Sequence, residues 1–153
     1  YICNKKNIIK ILNSMKNYNK VMIEKFIGGR EIQVAIMGNR KLGAIELKPK
    51  RKFYDYKAKY STNAKTQHLI PVDLSKNKLN QVLNIAMKAH KVIGCSGVTR
   101  SDFKFYRGKF HLLEINTQPG MTKLSLVPEI AAHKGIKFIQ LIEWILNDAS
   151  KQK

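Results

Sequence analysis

The sequence predicts an α+β domain, a mostly antiparallel sheet with flanking helices, and three features of the chain carry that prediction. Two segments read as β-hairpins, strand-like runs joined through short turns that contain glycine. Three others place apolar residues every three to four positions, as amphipathic helices do. At 153 residues, the chain is long enough to bury one real core and too short to need two.

Taken in order, residues 7–17 carry Ile8, Leu12 and Met15 near helical spacing, with Asn7 as the expected cap. Val21, Met22 and Ile23 make a short apolar strand. After Gly28-Gly29, residues 31–37 alternate, with Ile32, Val34 and Ile36 on one face and Glu31, Gln33 and Ala35 on the other. Gly38-Asn39 turns the chain into a partner strand around residues 42–47, completing the first hairpin. Residues 49–68 show no periodicity over about twenty positions, longer than an ordinary connection, which marks a functional or a disordered loop. Residues 75–94 restore a helix, with Leu79, Val82, Leu83, Ala86, His90 and Ile93 on one stripe and Gly94 as the stop. Residues 98–106 and 109–116 form the second hairpin around Arg107-Gly108, and helices near 126–133 and 138–147 finish the chain. Trp144 falls among Phe138, Leu141 and Ile145 as a core residue.

Composition narrows the function classes. Hydrophobic residues make up 44% of the chain, no apolar run is long enough to span a bilayer, and no signal peptide is visible, so a soluble protein without a membrane partner is expected. The opening Tyr1 hints at a piece of a longer polypeptide. Cys3 and Cys95 lie far apart with no metal-ligand spacing, which fits a reducing, cytoplasmic compartment. The 29 Lys+Arg against 10 Asp+Glu give a net charge of +19, which on its face invites an anionic partner. The lysines are scattered beside Asn and Ile, however, with no arginine stripe or nucleic-acid-binding motif, so no nucleic-acid partner is expected. His68, His90, His111 and His133 show no metal-pair spacing and read as structural or surface residues.

The chemistry concentrates in the second hairpin. Side chains two apart on a strand point the same way, so Glu114 and Asn116 present a carboxylate and an amide oxygen together, and Arg100 and Asp102 do the same on the preceding strand. An odd-length loop such as Arg107-Gly108-Lys109 would set Asp102 opposite Glu114 and Arg100 opposite Asn116, gathering all four on one face. Two carboxylates and an amide oxygen form a hard donor set suited to Mg²⁺ or Mn²⁺, with phosphate oxygens completing the shell. A surface hairpin with ordinary cross-strand ion pairs shares the same spacing.

Three runs carry a family resemblance. Glu114-Ile115-Asn116-Thr117-Gln118-Pro119-Gly120-Met121-Thr122, followed by Ser125-Leu126-Val127-Pro128, closely resembles the signature of D-alanine:D-alanine ligases, which are ATP-grasp enzymes. Residues 54–60, Tyr-Asp-Tyr-Lys-Ala-Lys-Tyr, look like the family's mobile loop over the active site, and residues 21–27 resemble its adenine-binding edge. The order and spacing agree from about residue 21 to the end.

That resemblance implies an ATP-grasp carboxy-terminal lobe over residues 21–153, with residues 1–20 as the tail of the incomplete small lobe. Glu24, Lys25, Phe26 and Ile27 would line the adenine slot, and Glu31 would accept hydrogen bonds from the ribose of ATP. Asp102, Glu114 and Asn116 would hold two Mg²⁺ or Mn²⁺ ions, and Arg100 with the Gly120 N–H would stabilise an oxyanion. Ser125 and Leu126, at the positive end of a helix, would take the carboxylate of the second D-alanine with help from Lys59. Tyr60 leans the nucleophile toward an amine. The implied reaction joins two D-alanines through an acyl phosphate for peptidoglycan synthesis, in a full-length protein that forms a homodimer. The chain by itself is expected to fold at least partly and not to ligate. Another ATP-grasp ligase, or a basic nucleic-acid-binding module without catalysis, would be the alternative readings.

Overall fold

The computed structural model describes residues 1–48 and 66–151. Strands β1 (Arg30–Met37), β2 (Arg40–Lys48), β3 (Gln67–Leu69), β4 (Val98–Tyr106) and β5 (Lys109–Asn116) form one sheet in the order β3-β2-β1-β4-β5. Every neighbouring pair is antiparallel. Four helices accompany them among the described residues: α1 (Ile8–Ser14), α2 (Lys76–Val92), α3 (Leu126–His133) and α4 (Phe138–Ser150).

The alternation in β1 sorts its side chains into two cores. Ile32, Val34 and Ile36 pack with Phe103 and with Val82 and Ala86 of α2. Ala35 and Met37 face the other way, into a cluster with Leu42, Ile45, Val127, Ile130 and Leu141 beneath α3 and α4. The result is three layers: α2, the sheet, then α3 with α4. Each fully buried large apolar side chain, Phe103 and Ile32 among them, contributes roughly 1.5–3 kcal/mol.

Helices on both faces also explain why the expected split into an inner and an outer face of the first hairpin is softened. Gln33 and Glu46, polar by sequence, are each 1% exposed. Glu46 is matched by Arg30, whose Nε and second guanidinium nitrogen donate to its two oxygens at 2.9 and 2.6 Å. That hydrogen bond is the main reason the Arg30 guanidinium is held above its ordinary pKa.

Local signals set the element ends. Ser75 accepts the Lys78 N–H as the cap of α2, and Gly94, with φ +72°, ends it. Gly29, at φ +95°, admits no side chain because a Cβ there would collide with the Phe105 carbonyl, which lets the chain enter β1 tight against β4.

Four expectations are corrected. Val21, Met22 and Ile23 form no strand: residues 19–28 run without a backbone ladder, and these three side chains are 40%, 80% and 59% exposed. Both sides of β1 are already taken by β2 and β4, so an apolar run ahead of it finds no open ladder beside the strand it leads into. Helix α1 is shorter than residues 7–17, and Asn7 stands at its cap position without a side-chain cap bond: its Oδ1 accepts the Asn4 N–H at 2.7 Å instead. Strand β3 lies at the end of the stretch that lacked periodicity, where three residues give too little pattern to detect. Helix α4 continues three residues past Asn147.

Candidate active site

The second hairpin delivers the arrangement the spacing called for, by a different device. Its turn is the two-residue Arg107-Gly108, both at positive φ (48° and 74°), so Tyr106 pairs with Lys109 and the loop is not odd. The ladder then shifts by one between Asp102 and Phe103: Phe103 pairs with Leu112, whereas Asp102 pairs with Glu114 and Arg100 with Asn116. Leu113 is the extra residue of this β-bulge. The bulge inverts the parity of β5, so Phe110 stays with Phe103 and Phe105 on the α2 side while Glu114 and Asn116 turn to the opposite face.

Arg100, Asp102, Glu114 and Asn116 therefore share one face of the sheet, and β1 extends it. Gln33 pairs with Asp102 and Glu31 with Lys104. The covered half of this face is apolar, Ala35 and Ile45 under α3 and α4, and the other half is this polar row. Arg100 grips Asp102 with Nε to Oδ1 at 2.7 Å and a terminal nitrogen to Oδ2 at 3.0 Å, both side chains about nine-tenths buried. Lys104 Nζ donates to Glu31 Oε2 at 3.0 Å. Asn116 Oδ1 accepts the Gln118 N–H at 2.9 Å, which shapes the loop leaving β5.

That donor set fits a divalent cation. Its oxygens are hard, and each carboxylate offers about four lone-pair directions, so Asp102 keeps free lone pairs beside Arg100 and Asn116 keeps one beside Gln118. The set consists of two carboxylates and one amide; among the described residues no group of three or more His, Cys, Asp or Glu side chains gathers.

Beyond β5, the loop folds back on itself. Ser125 occupies the cap position of α3, yet its hydroxyl makes no cap bond. It accepts the Thr122 N–H at 3.0 Å and lies 2.9 Å from the Thr122 hydroxyl. A Cβ on Gly120 would stand 3.0 Å from the same Ser125 oxygen. Gly120, Thr122 and Ser125 thus form one packed corner at the N-terminus of α3, and the reading of Ser125 as a mere helix cap gives way to that of a loop brace. Beside it opens a cleft of about 530 Å³ lined by His68, Lys123, Leu124, Pro128, Glu129, Ala132 and Phe138. His68 Nδ1 meets Glu129 Oε2 there at 2.7 Å, tying β3 to α3. The sequence left this histidine as structural or surface, and no spacing could name its partner because the two lie 61 residues apart.

The remaining sequence-assigned residues are not all brought to this row. Glu24, Lys25 and Phe26 are exposed and Ile27 half-buried in the segment before β1. Lys59 and Tyr60, with the whole 54–60 run, lie outside the described residues.

Comparison with known proteins decides the family. The family described as "D-ala D-ala ligase C-terminus" matches residues 2–147. The chain belongs to the D-alanine–D-alanine ligase family. It is 73% identical over 150 residues to the D-alanine–D-alanine ligase of Pelagibacter ubique, covering 98% of this chain and 49% of that protein. It is 47% identical over 136 residues to the ligase of Sinorhizobium fredii, covering 86% and 44%. Among solved structures, the Bacillus anthracis ligase complexed with ATP superposes with a TM-score of 0.81 at 26% identity, covering 98% of this chain and 48% of that one. The Coxiella burnetii ligase gives 0.80 at 27%, covering 99% and 40%. The chain thus spans about half the length of the curated ligases it matches. No helix among the described residues is long and apolar enough to cross a membrane.

Proposed function

We propose that this chain is the carboxy-terminal catalytic part of a cytoplasmic, homodimeric ligase that spends ATP to join two D-alanines into D-alanyl-D-alanine for peptidoglycan. The observation that carries the reading is the cross-strand register that sets Asp102 against Glu114 and Arg100 against Asn116 on one face, within a chain of this family.

In the proposed reaction, a carboxylate oxygen of the first D-alanine attacks the γ-phosphorus of ATP, ADP leaves, and an acyl phosphate forms. The amine of the second D-alanine then attacks the acyl carbon, a proton is lost from nitrogen, and phosphate departs. When bound, divalent cations would neutralise the phosphates and hold them in line; Asp102, Glu114 and Asn116 are the residues to hold such ions. Most of the protein's work is positioning. Glu31, fixed by Lys104, faces the ribose; Arg100 and the Gly120 N–H offer donors to the oxygen that becomes negative in the tetrahedral intermediate. The corner of Ser125 and Leu126 at the start of α3 presents a hydroxyl and N–H groups to the second carboxylate. Lys59 and Tyr60, outside the described residues, are assigned to the same reaction by the family resemblance alone.

Phosphate release from ATP with D-alanine and Mg²⁺, measured on the intact protein, tests this. Turnover is expected, together with a loss of two orders of magnitude or more in Asp102→Asn, as removal of groups that stabilise developing charge generally costs. Turnover of ATP with other amino acids and none with D-alanine would overturn it.

A further inference from the structure

Glu31, the carboxylate proposed for the ribose, is held at both of its oxygens by two different residues. Lys104 Nζ donates to Oε2 at 3.0 Å from β4, and Gln33 Nε2 donates to Oε1 at 3.3 Å from farther along β1. Both anchors are set by the fold rather than by Glu31 itself. Lys104 is the ladder partner of Glu31, and Gln33 is 1% exposed, seated in the next row between Ile45 of β2 and Asp102 of β4. On the side away from Lys104, the ladder partner of Glu31 is the buried Leu47, whose side chain has no donor to compete for the carboxylate. The orientation of the Gln33 amide follows from the same contact. Its Oε1 is buried with no hydrogen-bond partner among the described residues. Turned over, the amide would set that oxygen against the Glu31 carboxylate, acceptor against acceptor, so the nitrogen stays on Glu31 and the oxygen goes without.

We propose that Gln33 and Lys104 are positioning residues that make Glu31 a reader of the ribose cis-diol, so that the site selects ribonucleotides over their 2′-deoxy forms. This rests on the nucleotide reading above. A glutamate side chain turns about several bonds, and a loose carboxylate follows whichever hydroxyl is present. Held at both ends, the carboxylate plane is fixed, since rotation about its last bond breaks one contact or the other. Each oxygen accommodates about two hydrogen bonds and uses one on its anchor, so one lone-pair direction is left on each. Two acceptors on neighbouring oxygens match two hydroxyls on neighbouring carbons. A nucleotide lacking one hydroxyl leaves one of these acceptors unmatched. The Glu31 side chain is 14% exposed, so little water is at hand to fill the gap, and its anchors keep it from moving to make up the loss.

The test is the affinity for ADP and for 2′-deoxyADP in the presence of Mg²⁺, measured by calorimetry on the intact protein for wild type, Gln33→Leu, Lys104→Met and Lys104→Arg, with thermal unfolding alongside. Wild type is expected to prefer ADP by roughly tenfold or more, the scale of one hydrogen bond to a charged group. Gln33→Leu and Lys104→Met each free one end of Glu31 and are expected to bring that preference down to roughly threefold or less. Lys104→Arg keeps a cationic donor and is expected to keep most of the preference. Gln33→Leu removes the orphaned oxygen at similar volume, so its unfolding temperature is expected near that of wild type, and it carries the test even if Lys104→Met does not fold. An unchanged preference in either freeing variant overturns the proposal. So does an equal weakening of both nucleotides, which marks packing alone, and so does a wild type that binds the two alike. Wild-type protein that binds neither nucleotide overturns instead the reading on which the proposal rests.

Discussion

Two stretches carry the residues assigned to the nucleotide, and the sheet treats them differently. In β4 and β5 the backbone is laddered from turn to tip, and Arg100 and Asp102 are 9% and 7% exposed, locked against each other. Residues 19–28 form no ladder, and Met22 and Phe26 are 80% and 60% exposed. Both stretches have strand-forming composition. What separates them is a free edge: β4 is stitched to β1 and β5 on its two sides, while the run ahead of β1 leads into a strand whose neighbours are already in place. The proposed residues on β4 and β5 are thus held by the chain's own ladder hydrogen bonds, and those of residues 19–28 are not.

The largest expected effect probes the laddered stretch. Phe103→Ala, at a fully buried ring against Phe110 and α2, should cost about 3–5 kcal/mol in urea unfolding. A loss below about 1 kcal/mol would mean that β4 is not the keel of the sheet. Asp102→Ala should cost about 3 kcal/mol, because it breaks a largely buried ion pair. If Asp102→Ala is as stable as wild type, the row is not locked in the absence of ligand.

A smaller effect reports on the clamp behind β4. His90 of α2 is buried and meets Thr99 at 2.8 Å; burial, with a lesser push from Lys91, lowers its pKa from the ordinary 6.5. The neutral ring is the one the fold accepts, so the unfolded chain binds the proton first. Stability should hold above pH 6.5 and fall as pH drops from 6.5 through the lowered folded value, by at most about 1.4 kcal/mol per pH unit. His90→Gln should flatten that slope in unfolding curves taken between pH 7 and 5. The smallest effect belongs to the open stretch: Met22→Ser should change stability by no more than about 0.5 kcal/mol. A larger loss would show that residues 19–28 pack better than their exposure indicates, and would erase the contrast.

Much of this was legible beforehand because the signals were local. The second hairpin has the limits its pattern implied, and the first strand of the first hairpin ends at Met37 as its pattern implied, since alternation and a glycine turn act over a few residues. The facing of Asp102 and Glu114 was also legible, although the odd loop invoked for it is absent. The Leu112-Leu113 doublet was the overlooked sign, two apolar neighbours where strict alternation allows one. Burial of Gln33 and Glu46, the His68–Glu129 tie and the bracing of the Ser125 corner were not legible, because each depends on which distant elements meet. The strand expected at Val21-Met22-Ile23 failed for the same reason, since composition does not say whether an edge is vacant.

Leu113 gives one strand two clients. Up to that residue, β5 serves the helix beneath it, and past it the strand serves the polar row on the other face. Were this leucine paired in an unbroken ladder instead of bulged out, the turn and the aromatic stack would stay in place while every later side chain of the strand rotated by half a revolution. Glu114 and Asn116 would then point into the greasy underside and Ile115 would take their place in the polar row. The facing of the whole polar row thus depends on one half-exposed aliphatic residue staying out of register.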